Sequence, residues 1–162
     1  MHKNTFTLEA IGTVRIEDQH YFIDLNPKYI PALEGVEGFS HMNILWWCHN
    51  FDEESSRAIV DMDKPYKAAP DKLGVFATRS PIRPNPIALT ACQVINIDHH
   101  KGSIQLAYID ADNGTPVLDM KPYQPSVDRI KDVSVPHWCS HWPEYYEDSA
   151  TFDWGSEFTF ND

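Results

Sequence analysis

Residues 87–109 read IALTACQVINIDHHKGSIQLAYI. Ile87–Ile97 alternates for most of its length, and Ser103–Ile109 alternates again. His99-His100-Lys101-Gly102 between them has the composition of a tight turn. Two runs of period two around such a turn predict an antiparallel hairpin with one face on a core. Working outward, Phe6–Ile16 (FTLEAIGTVRI) opens with β-formers and is interrupted by Gly12, which reads as a bulge or bend. Phe39–Phe51 (FSHMNILWWCHNF) is a long aromatic and aliphatic run after the Gly35 and Gly38 turn, and Leu73–Thr78 is a short apolar one. Helical signals are sparse. Asn26-Pro27 ahead of KYIPALEG reads as a cap, a proline at the first helical position and one short helix ending at Gly35, held short by Pro31. Many strands separated by turns favour an antiparallel barrel or sandwich over alternating βαβ units.

The chain has 162 residues, enough for one domain, and 42% apolar residues, enough for a core. Its formal charge of −11 is unevenly placed. Val133–Asp162 contains six acids (Glu144, Glu147, Asp148, Asp153, Glu157, Asp162) and no Lys or Arg, whereas Lys72–Ile97 contains Lys72, Arg79 and Arg83 and no acid. Such a balance argues against tight non-specific nucleic-acid binding, which needs many basic contacts to phosphate. Cys48, Cys92 and Cys139 are odd in number and widely spaced, so they are no disulfide framework. The N-terminal stretch MHKNTFTLEAIG lacks the apolar region of a signal peptide, and no run has the length of a membrane span. A cytoplasmic protein is expected.

Two segments carry chemistry. In Thr78-Arg79-Ser80-Pro81-Ile82-Arg83-Pro84-Asn85-Pro86, the prolines push Ser80, Arg83 and Asn85 toward extended conformations. Two guanidinium groups and an amide thus sit on a connector with little entropy left to lose. In the second, Asn113-Gly114 marks a turn, Thr115-Pro116 restarts an extended stretch, and Asp119, Lys121 and Tyr123 follow at alternate positions. On a strand these three share one face.

With these segments the chain resembles the TsaA-like family of TrmO-like β-barrel methyltransferases, which includes tRNA adenine N6-methyltransferases acting on threonylcarbamoyladenosine beside the anticodon. The matching parts are Ala10-Ile11-Gly12, Gly35–Trp47 (GVEGFSHMNILWW), Gly74–Thr90 (GVFATRSPIRPNPIALT) and Gly114–Asp128 (GTPVLDMKPYQPSVD), in that order. The resemblance implies a mainly β fold, a single-sheeted antiparallel barrel with a few short helices, working as a homodimer. It implies S-adenosyl-L-methionine in a cleft near the subunit interface, with Ser40-His41 at that cleft. In keeping with this, no GxGxxG loop of the doubly wound methyltransferases is present. The expected layout is a barrel domain over 1–135 and an acidic, aromatic tail over 136–162.

Methyl transfer from a sulfonium is an in-line displacement, helped mainly by positioning and desolvation. Cofactor-binding candidates are His41, Arg79, Ser80, Arg83, Pro84, Asn85, Asp119 and Lys121. Arg79 and Arg83 suit an anion, either the cofactor carboxylate or a substrate phosphate. Asn85 and its proline-fixed backbone suit a base edge. Asp119, Lys121 and Tyr123 suit the amino-acid end of the cofactor, or steering a proton off the acceptor nitrogen, and are the catalytic candidates. Each has a plainer reading. The arginines are then solvated loop charges, Asn85 a turn residue, Asp119 and Lys121 a surface pair, Tyr123 and His41 packed rings. Asp128 reads as a cap for DRIKDV that orients the loop before it. Cys48-His49 with His137, Cys139 and His141 match no common zinc spacing, so no metal is expected. Trp46, Trp47, Trp138 and Trp142 read as packing groups.

Two departures from the family pattern stand out. Asn113 replaces the usual acid of Asp-Gly-Thr-Pro, which removes a charge. The chain also reads as a short form lacking the extra C-terminal domain of longer members. Its tail, WPEYYEDSATFDWGSEF, would repel phosphate, and it suits covering a barrel edge or a partner, or mimicking nucleic acid. The expected partner is tRNA, with a small-molecule or other nucleoside acceptor, or binding of the donor without turnover, as alternatives.

Overall fold

The computed structural model describes residues 4–161; Met1–Lys3 of the N-terminal stretch and Asp162 of the acidic tail lie outside them. The chain groups into two compact units. One is formed by the chain up to Asp52 together with Asn85–Arg129, and the other by Glu53–Pro84 together with the chain from Ile130 onward. The tail from 136 on is therefore grouped with residues 53–84.

The first unit is a closed six-stranded antiparallel barrel. Among the described residues there are eight strands: β1 (Gly12–Glu17), β2 (His20–Leu25), β3 (His41–Trp47), β4 (Asp61–Asp63), β5 (Lys72–Gly74), β6 (Ile87–Asp98), β7 (Ser103–Leu106) and β8 (Pro116–Pro122). The barrel order is β1-β2-β7-β6-β3-β8, closed by pairing of β1 with β8. Inward residues fill it with aliphatic side chains: Val14, Ile23, Ile44, Ile104 and Val117 are all 2% exposed or less. A barrel of this size holds a packed core, and closure leaves no free sheet edge.

The expected hairpin is β6–β7, with Asp98 opposite Ser103. Gly102 in its turn has φ +65°, and a Cβ there would lie 2.5 Å from Ile30 Cγ1, so glycine is required twice over. The strand expected over Phe6–Ile16 begins only at Gly12, and Gly12 is not a bulge. It lies so close to β2 that a Cβ would meet the Asp24 carbonyl oxygen at 2.5 Å. The short helix is a 3-10 helix, Pro27–Leu33, kept tight by Pro31, and Leu33 is buried in the barrel core. β2 carries no turn signal of the usual kind, because its hairpin with β1 turns on Asp18 and Gln19, both at positive φ.

The second unit contains the β4–β5 pair and an aromatic cluster. The Tyr66 ring stacks on Trp138 at 5.5 Å and meets Trp142 edge-on at 4.9 Å, with Phe158 at 5.4 Å. Trp142 Nε1 and His141 Nε2 both bond the Glu157 carboxylate, at 3.0 and 2.9 Å, and hold it below the usual carboxylate range. Trp138 and Trp142 are thus packing groups. Burial pushes the Cys92 thiol in the barrel core up to about 12, so it is inert near neutral pH.

Gly12→Ala should destabilise the protein by about 2–3 kcal/mol in chemical denaturation, because backbone rather than a flexible side chain must yield. A second expectation concerns acid. The Asp24 carboxyl accepts from Arg15 Nε at 2.6 Å and from the Ser103 hydroxyl at 2.6 Å, and these bonds hold it below its ordinary value. Its contribution is present above about pH 4 and is lost as pH falls through the lowered folded value. Asp24→Asn should therefore shrink the drop in Tm between pH 6 and pH 3, read by calorimetry.

Candidate functional site

β8 carries one extra residue opposite β3. Asp119 pairs with Leu45 while Val117 pairs with Trp46, so Leu118 is inserted between them. The insertion reverses the phase of the strand. Val117 and Met120 face the core, and Asp119 and Lys121 face out. Without it, Asp119 and Lys121 would share the inward face of Val117.

Beyond this bulge, outward residues of three neighbouring strands form rows. Asp119, Leu45 and Leu89 make the first, and Lys121, Asn43 and Ala91 the second. At the edge, the Tyr123 N–H donates to the His41 carbonyl at 3.0 Å, and His41 pairs with Gln93. The Lys121 ammonium bonds the Asp119 carboxylate, both largely in solvent. The His41 and Tyr123 rings meet at 6.4 Å and 63°, and Ser40 Oγ lies 2.9 Å from His41 Nδ1. The wall thus runs from charged and phenolic groups on β8, through mixed residues on β3, to a mostly apolar column on β6 that Gln93 interrupts. In that column Ile87, Leu89 and Ile95 are exposed.

The barrel accordingly brings Asp119, Lys121, Tyr123 and His41 onto one surface. Asn85 lies just before β6, exposed, with its carbonyl accepting from Ile87 N–H at 2.7 Å. Arg79, Ser80, Arg83 and Pro84 belong to the second unit. There the proline-rich loop is wound on itself. Ser80 N–H donates to Thr78 Oγ1 at 3.2 Å, Ile82 N–H to Ser80 Oγ at 3.2 Å, and Arg83 Nη1 lies 3.4 Å from the carbonyls of both Thr78 and Ser80. Arg57 Nε donates to the Pro84 carbonyl at 2.9 Å. Arg83 therefore braces its own loop with part of its guanidinium, while Arg79 is exposed.

Sequence reading had not singled out Asn43, Leu45, Leu89 or Arg57. The first two were accessible from period-two spacing with His41, and Leu89 follows once β6 is paired with β3. Arg57 carried no signal. Asp128 orients the preceding turn, as expected, and among the described residues its carboxylate bonds run backward rather than to the segment after it: it accepts from Gln124 N–H at 2.6 Å and from Asn43 Nδ2 at 2.9 Å. Asn113 is structural. Its side-chain carbonyl accepts from Ile16 N–H at 2.8 Å, a bond that an aspartate makes equally well. Among the described residues, no three His, Cys, Asp or Glu side chains are grouped as a metal ion requires.

The family model of the tRNA-methyltransferase O N-terminal domain matches residues 11–129. The tRNA (adenine(37)-N6)-methyltransferase of Escherichia coli is 39% identical over 106 residues, covering 64% of this chain and 44% of that protein. A probable S-adenosyl-L-methionine-binding protein of Methanothermobacter thermautotrophicus is 31% identical over 122 residues, covering 75% and 82%. The crystal structure of TrmO from Pseudomonas aeruginosa superimposes with a TM-score of 0.61 at 30% identity, covering 81% of this chain and 62% of that one. The chain thus spans less than half of the E. coli enzyme and under two thirds of the P. aeruginosa structure.

Asn113→Asp should leave stability nearly unchanged, whereas Asn113→Ala should lower it by about 1 kcal/mol in urea unfolding, the worth of one such bond.

Proposed function

Because the chain belongs to the tRNA-methyltransferase O N-terminal domain family, we propose that it is an S-adenosylmethionine-dependent methyltransferase acting in the cytoplasm on N6 of threonylcarbamoyladenosine beside the tRNA anticodon. The observation that carries this reading is the outer wall of β8 and β3. A carboxylate, an ammonium, an imidazole and a phenol converge there beside apolar Leu45 and Leu89. This donor set fits an amino-acid zwitterion joined to a nucleoside. Asp119 suits the ammonium end of the donor, Lys121 its carboxylate, and His41 and the leucines its uncharged parts. Bound, S-adenosylmethionine supplies an electrophilic methyl group on a sulfonium.

Tyr123 suits steering the proton that the acceptor nitrogen loses as its bond to carbon forms, the alternative role for the Asp119–Lys121 pair where other groups hold the amino-acid end. Arg79 and Arg83 suit an anionic group of donor or substrate, and Asn85, separately, the edge of a base. A homodimer is part of the reading: the exposed Ile87, Leu89 and Ile95 form an apolar column beside the polar groups, and covering it excludes water from them. A second reading, donor binding without turnover, is favoured by the fuller coverage of the M. thermautotrophicus binding protein.

Purified protein with labelled S-adenosylmethionine and tRNA from cells lacking the modification should yield methylated threonylcarbamoyladenosine by nucleoside mass spectrometry. Lys121→Met and Asp119→Asn should each lower kcat/KM at least about tenfold, one to two charge-assisted bonds being lost. Calorimetric donor binding with no methylated nucleoside would favour the second reading, and no binding at all would sink both.

A further inference from the structure

Asn43 lies at the middle of the wall, between Lys121 on β8 and Ala91 on β6. Its Nδ2 donates to Asp128 Oδ1 at 2.9 Å, and the other carboxylate oxygen accepts from Gln124 N–H at 2.6 Å. The Asp128 N–H in turn donates to the Gln124 carbonyl at 2.8 Å. One carboxylate therefore ties the centre of β3 to the residue directly after Tyr123. The segment it holds, Pro125–Asp128, is a single helical turn with Val127 75% exposed. A turn of that length does not hold its own shape in water.

We propose that Asn43 and Asp128 form a positioning pair, an amide–carboxylate clasp that fixes the 123–128 turn against β3 and thereby keeps the Tyr123 ring beside His41. That this matters for the methyl donor rests on the function proposed above; that it orders the turn does not. The clasp has a direction. Only the amide nitrogen donates across the pair, and the residue at 128 must also accept from Gln124 N–H. Asn43→Asp alone sets two carboxylates face to face. Asp128→Ala alone releases Gln124. The exchange Asn43→Asp with Asp128→Asn restores every bond: the new amide at 128 donates across to the new carboxylate, and its carbonyl still accepts from Gln124.

The test uses the full chain, wild type and these three variants. It reads the Kd for S-adenosylmethionine and for S-adenosylhomocysteine by calorimetry, and amide exchange at Tyr123 and Gln124 by NMR. Both single-site changes should weaken binding about tenfold and reduce Gln124 protection, while the exchange returns both to within about threefold of wild type. Unchanged affinity and protection in the single-site variants would overturn the proposal. So would an exchange variant with wild-type Tm that recovers neither. Should the wild type bind no donor, the proposed function falls while the pair is decided by amide exchange alone: loss and recovery uphold it, and no change overturns it.

Discussion

One inserted residue governs what this barrel presents to solvent. Leu118 breaks the two-residue period of β8, so that aliphatic Val117 and Met120 point inward and the charges of Asp119 and Lys121 point out. In an unbroken strand those charges would lie among Ile44, Val14 and their neighbours, where desolvation penalises an ion pair by several kcal/mol per ion. The polar wall and the apolar core are thus made by the same irregularity. Everything assigned to the wall, from the Asp119–Lys121 pair to the His41–Tyr123 contact, depends on that phase.

Much of this was legible from residues. Period-two spacing placed β6 and β7, and the aromatic run placed β3, because barrel strands have one buried face. The spacing of Asp119 and Lys121 put them on a common face. It did not say which face, since the bulge at Leu118 leaves no mark in composition. β2 escaped notice because Asp18-Gln19 contains neither glycine nor asparagine to advertise a hairpin. Phe6–Ile11 looked like strand on propensity alone, yet its backbone bonds to the sheet come only at its end, where Ile11 N–H donates to the Val117 carbonyl at 2.8 Å, and propensity is a weak guide without a neighbour. The choice of a barrel over a sandwich came from the family resemblance. Period two is identical in both.

The second unit shows a different economy of materials. Its strands are three residues long, and aromatic rings do the packing. Tyr66 anchors Trp138, Trp142 and Phe158, and Glu157, the one well-shielded acid among the tail's described residues, is satisfied by Trp142 and His141. The acidic character of the tail is therefore a property of its exposed residues, not of what holds it in place.

The barrel is also discontinuous in sequence. β3 ends at Trp47 and its neighbour β6 starts at Ile87, and closure pairs β1 with β8 from nearly opposite ends of the first unit. Each of these pairings needs a long loop to close before any contact rewards it, and folding slows as contacts become less local. Residues 48–86 act on the barrel as a tether whose length sets an entropic barrier. The hairpins β1–β2 and β6–β7 are the local pairings of the barrel, and the contacts of β8 with β1 and β3, of β3 with β6 and of β2 with β7 are the long-range ones. The polar wall lies on β8 and β3, whose mutual pairing is one of these long-range contacts, so that surface rests on chain closure rather than on any local hairpin.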